Sequence, residues 1–201
     1  MNISKAVTFR KMQPSDFEEA IAMERSSLPP DKTWERDDFV VADCVCNLKL
    51  VAVCYLGRMI GFMAYGHTRC KFLLVRLCVH PEWRHRGVGT ACVNRLTSRL
   101  IRPRTHIQAD VKVSCVPMQL FLRRLGFQAV RTINKEMHSA DEDHYLMVCS
   151  AISRVCAGER YEPDSFSSSA VVGDSAESAA SASGASQTQM PWVWREPEAD
   201  E

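Results

Sequence analysis

The sequence has no apolar run long enough to span a membrane. Its longest apolar stretches, such as residues 48–56, reach about half of the roughly 20 residues that a membrane-spanning helix needs. The N-terminus also lacks the apolar stretch and the small-residue cleavage site of a secretory signal. Because 46% of the residues are hydrophobic and 24% are charged, a wholly disordered or fibrous protein is excluded. We therefore expect a soluble, cytoplasmic protein that does not bind membranes.

Acidic residues are missing from a long central stretch of the chain. None occurs between Glu82 and Asp110, although six arginines do. Residues 1–156 contain 23 Lys and Arg against 15 Asp and Glu, whereas residues 157–201 contain 2 against 9. A basic body favours an anionic partner: a phosphorylated cofactor, a nucleic acid or the acidic tail itself. No nucleic-acid reading motif or aromatic stacking series accompanies the arginines, so we predict no nucleic-acid partner.

The nine cysteines lack the spacing of a metal site or a disulfide framework. Their number is odd, and neither a CxxC pair nor a His-x-His partner set occurs. Cys44-Val45-Cys46 is the closest approach to a ligand pair. Most of the cysteines have apolar neighbours. They are therefore predicted to be small buried hydrophobic residues in a reducing compartment, with no metal.

The composition changes near residue 157. From there the sequence consists mainly of Ser, Ala, Gly and acidic residues, which cannot bury enough apolar area to offset the entropy of ordering. The chain of 201 residues is thus predicted to contain one domain, residues 1–155, and a disordered acidic tail, residues 156–201. Trp192 and Trp194 leave open whether the tail is passive or docks on the domain.

Hydrophobic periodicity and turn signals predict a mixed α/β domain in which hairpins precede a central βαβ unit. The first helix follows Pro14, with Ser15 as its N-cap. Predicted strands cover residues 7–11, 48–56, 59–67, 72–79, 105–113, 127–134 and 144–152, and predicted helices cover residues 15–24, 34–41, 87–101 and 117–125.

The junction between the fourth strand and the third helix carries the strongest chemical signal. A buried strand runs into a basic turn with Gly87 and Gly89, and a helix follows at once. Backbone N–H groups at a helix start have no partner within the helix, and glycine lets a ligand approach them. Together with Arg84 and Arg86, they form a site suited to a pyrophosphate.

Two other phosphate-binding motifs do not fit this junction. A dinucleotide-binding fingerprint needs a third glycine and a later acidic residue, and a P-loop needs Gly-Lys-Ser/Thr. Arg95, Arg99 and Arg102 lie on one face of the predicted helix. A phosphate site and an ordinary solvated helix face explain these three arginines about equally well.

These motifs resemble those of a known superfamily. Arg84-x-x-Gly87-x-Gly89, preceded by Leu77-x-Val79-x-Pro81, resembles the acyl-CoA-binding motif of the GNAT superfamily of N-acetyltransferases, and residues 120–127 are similar to its Leu-Tyr-x-x-x-Gly-Phe segment. Further similarities to the RimI-type N-terminal acetyltransferases are Pro30-x-x-x-Trp34 with Phe39, residues 110–114, and Glu142-Asp143.

The resemblance implies the GNAT fold and acetyl-CoA as co-substrate. The fold has a central, mostly antiparallel sheet of six to seven strands with about four flanking helices and two splayed central strands. The resemblance also implies that a backbone N–H near Val79 polarises the acyl carbonyl. The expected cofactor-binding residues are Leu77, Cys78, Val79, Arg84, His85, Arg86, Gly87, Val88, Gly89, Thr90, Cys115 and Phe121.

Asp110 lies at the position of the family's catalytic glutamate, so it is the predicted catalytic base. An ordinary strand carboxylate is the alternative. Phe121 replaces the family tyrosine and has no proton to donate, which leaves water, His80, His85 or Tyr145 as the acid. Cys115 replaces the family asparagine, either as a thiol lining the cofactor site or as a covalent acyl carrier.

Trp34 and Phe39 either line the acceptor entrance or anchor their helix in the core. The resemblance favours acetyl transfer to a protein or peptide amine, above all an N-terminal α-amine, by a monomer or weak homodimer. Two alternatives are a small-amine acetyltransferase, acting on a polyamine, amino sugar or amino acid, and a non-catalytic acyl-CoA-binding module.

Overall fold

The computed structural model describes residues 3–28, 32–134 and 142–150. The predicted boundary at residue 155, the acidic tail with Trp192 and Trp194, and the end of the last predicted strand lie outside the described residues. The strands are β1 (Thr8–Lys11), β2 (Lys49–Tyr55), β3 (Arg58–His67), β4 (Lys71–Val79), β5 (His106–Lys112), β6 (Gln128–Ile133) and β7 (His144–Ser150), and the helices are α1 (Phe17–Arg25), α2 (Arg36–Cys44), α3 (Val88–Thr97) and α4 (Val116–Arg124).

The seven strands form one sheet in the order β1-β2-β3-β4-β5-β7-β6. Every neighbouring pair is antiparallel except β4 and β5, which are joined through α3 and run parallel. A seven-stranded, mostly antiparallel sheet with four helices confirms the fold expected from the sequence.

Each face of the sheet has its own hydrophobic core. On one face α3 and α4 pack on the sheet, and the core there includes Leu96 of α3, Ile107 and Phe127. On the other face α1 and α2 pack through Phe39, whose ring lies 5.2 Å from that of Phe17 and 5.5 Å from that of Phe62. Burying one such side chain stabilises the fold by about 1.5–3 kcal/mol relative to leaving it exposed. The junction between β4 and α3 lies at the end of the sheet where β4 ends.

At two of the predicted helix ends that were wrong, the hydrogen bonds show the reason. A 3-10 turn, Pro14–Asp16, precedes α1, and Asp16 rather than Ser15 satisfies a backbone donor there, because its Oδ2 accepts the Gln13 N–H at 2.7 Å. Helix α3 ends at Thr97, not at residue 101, since the N–H groups of Arg99 and Leu100 bond only three residues back, each at 3.1 Å.

Asp16 makes part of the stability dependent on pH. Arg10 donates two hydrogen bonds to the carboxylate, at 2.6 and 2.9 Å, and these lower the pKa of Asp16. The stabilisation is therefore complete above the usual aspartate pKa of about 3.9 and is lost as the pH falls through the lower value of the folded state. We expect Asp16→Asn to cost about 1 kcal/mol at pH 7, because the Arg10 side chain is 45% exposed.

Denaturant unfolding of the parent and of Asp16→Asn at pH 7 and pH 3 measures this effect. Glu19→Gln, in the exposed first turn of α1, is the control and should change little. The stability difference between the parent and Asp16→Asn should shrink at pH 3. An unchanged difference would assign the effect to packing rather than to charge.

The eight described cysteines are free thiols. The prediction that the cysteines are small buried residues is correct for half of them, since Cys54, Cys78, Cys92 and Cys149 are buried. Cys44, Cys70 and Cys115 are exposed.

Candidate active site

Strands β4 and β5 separate part-way along their length. Both strands are fully described, and their pairing covers residues 71–74 of β4 and residues 106–109 of β5. Beyond that point β4 continues along β3 as far as Val79, and β5 continues along β7 as far as Lys112. The sheet therefore contains a V-shaped gap, which confirms the splayed central strands expected of the fold.

The β4 side of the gap is lined by backbone hydrogen-bonding groups. In an antiparallel pair only alternate residues bond the partner strand. The His80 N–H donates to the Ile60 carbonyl at 2.9 Å, which makes His80 and, two residues back, Cys78 partners of β3. Leu77 and Val79 lie between these bonded positions, so their N–H and C=O groups point towards β5, into the gap.

The turn before α3 is shaped for an anion. His85 and Gly87 adopt left-handed backbone conformations, with φ values of 59° and 83°. Gly87 is the N-cap of α3, and the first bond of the helix runs from the Ala91 N–H to the Gly87 carbonyl at 2.9 Å. The N–H groups of residues 88–90 precede that bond, so they have no acceptor within the helix. This donor set fits a diphosphate group.

Phe121 of α4 covers the start of α3. A Cβ atom added to Gly89 would lie 3.2 Å from Cζ of Phe121, so glycine lets the ring pack directly on the first helical turn. Phe121 thus lies beside this turn, and its predicted contact with the cofactor stays a prediction. Cys115 is the exposed N-cap of α4, and its predicted contact with the cofactor stays a prediction.

The arginines around the turn are engaged with the protein. Arg84 donates to the Val79 carbonyl at 3.0 Å and to the Ser27 hydroxyl, so this side chain ties the turn to β4 and to the end of α1. Its predicted role, adding charge for the anion, stays a prediction. Arg86 lies over the Trp83 ring, at 5.1 Å.

The predicted stripe of arginines on α3 is part of the packing. Arg95 lies over the Phe9 ring, 4.7 Å from its centroid, and burial lowers the pKa of its guanidinium. Arg99 donates to the Tyr65 hydroxyl at 3.0 Å. Arg95 is therefore partly buried against the sheet, whereas Arg99 lies beyond the end of α3 and is exposed.

Asp110 lies at the vertex of the gap. It follows Ala109, the last residue of β5 that pairs with β4, and it is exposed. Its neighbours Ala109 and Val111 point into the core under α3 and α4. Because side chains alternate along a strand, Asp110 points to the opposite face, on which α1 and α2 pack. This is the position expected of a group that meets the acceptor.

Three predicted contacts are not brought to the gap. Trp34 and Phe39 are 3% and 0% exposed and pack edge-to-face at 5.2 Å in the core under α1 and α2. Their role is anchoring, which corrects their assignment as substrate-binding residues. The Cys78 thiol lies in the same core, where burial raises its pKa to about 11, and its main chain bonds β3.

The alternative proton donors also have other surroundings. Nδ1 of His80 accepts the Glu82 N–H at 3.3 Å. Tyr145 lines a groove between α4, β6 and β7, together with Leu120 and Met147.

Within the described ranges no cluster of three or more His, Cys, Asp and Glu could hold a metal ion. In that same part of the chain no helix has the length and apolar character needed to cross a membrane.

The sequence analysis missed an ion pair beside the gap. It joins the buried Glu24 to Arg76, whose side chain is 25% exposed. Oε1 of Glu24 on α1 lies 3.1 Å from Nε of Arg76 on β4. Burial raises the pKa of Glu24 and lowers that of Arg76. The signals were present in the sequence. Glu24 continues the apolar stripe of α1 formed by Phe17, Ala20 and Ile21, and Arg76 interrupts an apolar strand.

Comparison with known families agrees with this geometry. Residues 37–129 match the family model of the acetyltransferase (GNAT) domain. The matched stretch of the chain is therefore similar to a GNAT acetyltransferase domain. This match supports an enzyme, an acetyl-CoA-dependent N-acetyltransferase. The search of curated proteins found no match.

Solved structures share the fold at low sequence identity. Ard1 from Thermoplasma volcanium is 18% identical with a TM-score of 0.62, over 72% of this chain and 97% of that one. The ribosomal-protein-S18-alanine N-acetyltransferase from Escherichia coli is 18% identical with a TM-score of 0.59, over 72% and 93%. The PaiA N-acetyltransferase from Thermoplasma acidophilum, in complex with coenzyme A, is 14% identical with a TM-score of 0.55, over 72% and 98%.

Proposed function

We propose that the GNAT domain transfers the acetyl group of acetyl-CoA to the N-terminal α-amine of a protein or peptide. The observation that carries the proposal is the arrangement of the gap. The diphosphate turn and Phe121 belong to the face covered by α3 and α4, whereas Asp110 points to the other face and is exposed. An exposed carboxylate at an open gap suits the end of a polypeptide, while small-molecule sites are mostly enclosed.

The similarity to the Escherichia coli enzyme supports a protein acceptor, because that protein acetylates an alanine of ribosomal protein S18. The free thiols of the described cysteines support a reducing compartment, so we propose that the reaction takes place in the cytoplasm.

The chain's own groups have separate tasks in this reaction. The N–H groups of residues 88–90 hold the diphosphate, and the backbone of Leu77 binds a pantetheine amide along β4. Acetyl-CoA supplies an activated acetyl thioester. The Val79 N–H points into the gap, where it stabilises negative charge that develops on the acetyl oxygen.

Asp110 accepts the proton of the attacking amine. The amine must be neutral to attack, and a carboxylate within reach, directly or through one water, makes this form available. Phe121 cannot return a proton to the departing thiolate. A thiol pKa of about 8.5 makes a dedicated acid unnecessary, so solvent performs this step.

Two acceptor panels test the proposal. Peptides with a free N-terminus and an internal lysine are compared with the same peptides blocked at the N-terminus, alongside polyamines, amino sugars and amino acids. Thiol release and the mass of the products are recorded. We expect acetylation of the free peptides only. Acetylation confined to the small amines would overturn the proposed acceptor class. Acetylation of the blocked peptides would show that the acceptor is the lysine side chain rather than the N-terminal α-amine.

A further inference from the structure

We propose that Glu24 and Arg76 are positioning residues that hold the described ends of the segment between α1 and α2, residues 26–28 and 32–35, against the splayed half of β4, and thereby set the affinity for the acceptor. The inference rests on the proposed function, because that segment lies on the Asp110 side of the sheet. It assigns a task to a charged pair that takes no part in binding acetyl-CoA or in moving protons.

Glu24 connects the end of α1 to the chain just before the start of α2. It occupies the last turn of α1 and is 1% exposed. Its Oε2 accepts the backbone N–H of Trp34 at 2.7 Å, ten residues further along the chain. The carboxylate therefore fixes where the chain re-enters the core before α2 begins at Arg36.

Arg76 makes the matching connection from β4. A bulge between β3 and β4 leaves Val75 out of the pairing, at the point where β4 parts from β5. Before the bulge Phe72 and Leu74 face the core under α3 and α4, and after it Leu77 and Val79 do. The bulge thus changes the alternation, so that Arg76 faces α1.

The guanidinium of Arg76 holds the segment at three points. Its Nη2 donates to the Lys32 carbonyl at 2.7 Å, its Nε lies 3.1 Å from Glu24, and its Cζ lies 5.1 Å from the centroid of the Trp34 ring. Arg84 connects Ser27, at the other end of the segment, to the Val79 carbonyl. Arg76 on β4 and Arg84 in the turn before α3 therefore contact both described ends of the segment.

Stability alone does not explain a buried ion pair. Desolvation of two charges is costly, and well-packed apolar residues of similar volume often serve the fold as well or better. Breaking such a pair by removing one partner is strongly destabilising, because the remaining charge is left buried. Single and double substitutions consequently separate a stabilising role from a positioning role.

Glu24→Met, Arg76→Met and the double variant provide the test. We expect both single variants to lose thermal stability, whereas the double variant regains the parent's thermal midpoint. In the double variant the Michaelis constant for the acceptor should remain raised roughly tenfold, with acetyl-CoA affinity unchanged. Arg36→Gln is the control, since it breaks the exposed pair between Arg36 and Glu18, at 3.0 Å, that links the same two helices.

Hydrogen exchange of a peptide covering residues 32–39 gives a readout that needs no acceptor. We expect faster exchange of the Trp34 N–H in the double variant than in the parent. The inference is overturned if the double variant keeps the parent's exchange rate, or if it acetylates whichever acceptor the parent uses with the parent's Michaelis constant. Activity on small amines alone would overturn the proposed acceptor class and leave these two measurements valid.

Discussion

Replacing Gly87 by alanine should lower the affinity for acetyl-CoA by roughly 100-fold. Gly87 has a φ of 83°, where an L-residue is disfavoured by about 1–2 kcal/mol. Relief of that strain rotates the turn and turns the N–H groups of residues 88–90 away from the diphosphate. Hydrogen bonds to a charged group contribute about 1.5–3 kcal/mol each, so losing one or two of them accounts for the effect.

Gly57 provides a matched control for this experiment. It lies in the turn between β2 and β3 with a φ of 81°, and a Cβ atom added there meets nothing within 4 Å. Gly57→Ala therefore introduces the same backbone strain far from the gap, so both variants should lose similar stability. Calorimetric titration with acetyl-CoA should distinguish them. Equal affinities of Gly87→Ala and the parent would remove the turn from the cofactor site.

The local parts of the site could be predicted from the sequence. A buried strand followed by two glycines and a helical repeat is encoded within residues 72–101, and the structure keeps that order with β4, the turn and α3. Such elements depend on neighbours a few residues away, so periodicity and turn residues reveal them. The helix end at Thr97 was less predictable, because the apolar pattern runs on to Leu100.

The tertiary parts of the site could not be predicted in this way. Glu24 and Arg76 are 52 residues apart, and Arg84 reaches Ser27 across 57 residues, so no local pattern connects them. The bulge at Val75 could not be predicted because β4 is largely apolar on both faces. In a strand, the alternation of apolar and polar residues is what indicates side-chain direction, and β4 does not show that alternation. Trp34 and Phe39 were assigned to the acceptor entrance for the same reason: their burial depends on packing against β3.

Asp110→Asn should lower the rate of acetyl transfer by about 100-fold or more while acetyl-CoA affinity stays unchanged. The amide has the size of the carboxylate but cannot accept a proton, and general base catalysis contributes about 10²- to 10⁴-fold. Asp110 lies on β5, across the gap from the diphosphate turn, so its substitution leaves cofactor binding intact. Steady-state rates together with calorimetric titration separate the two effects.

The pH dependence of the variant identifies the role of Asp110. Without a base, transfer depends on the fraction of acceptor that is already neutral, so the rate of Asp110→Asn should rise with pH through the α-amine pKa of about 7.7–8.0. Asp43→Asn is the control, because this carboxylate lies on α2 with its Oδ2 3.5 Å from Lys11 Nζ, and both pH profile and rate should match the parent. If Asp110→Asn instead kept the parent's rate and pH profile, Asp110 would be an ordinary strand carboxylate. The proton of the amine would then leave directly to solvent through the open acceptor side of the gap.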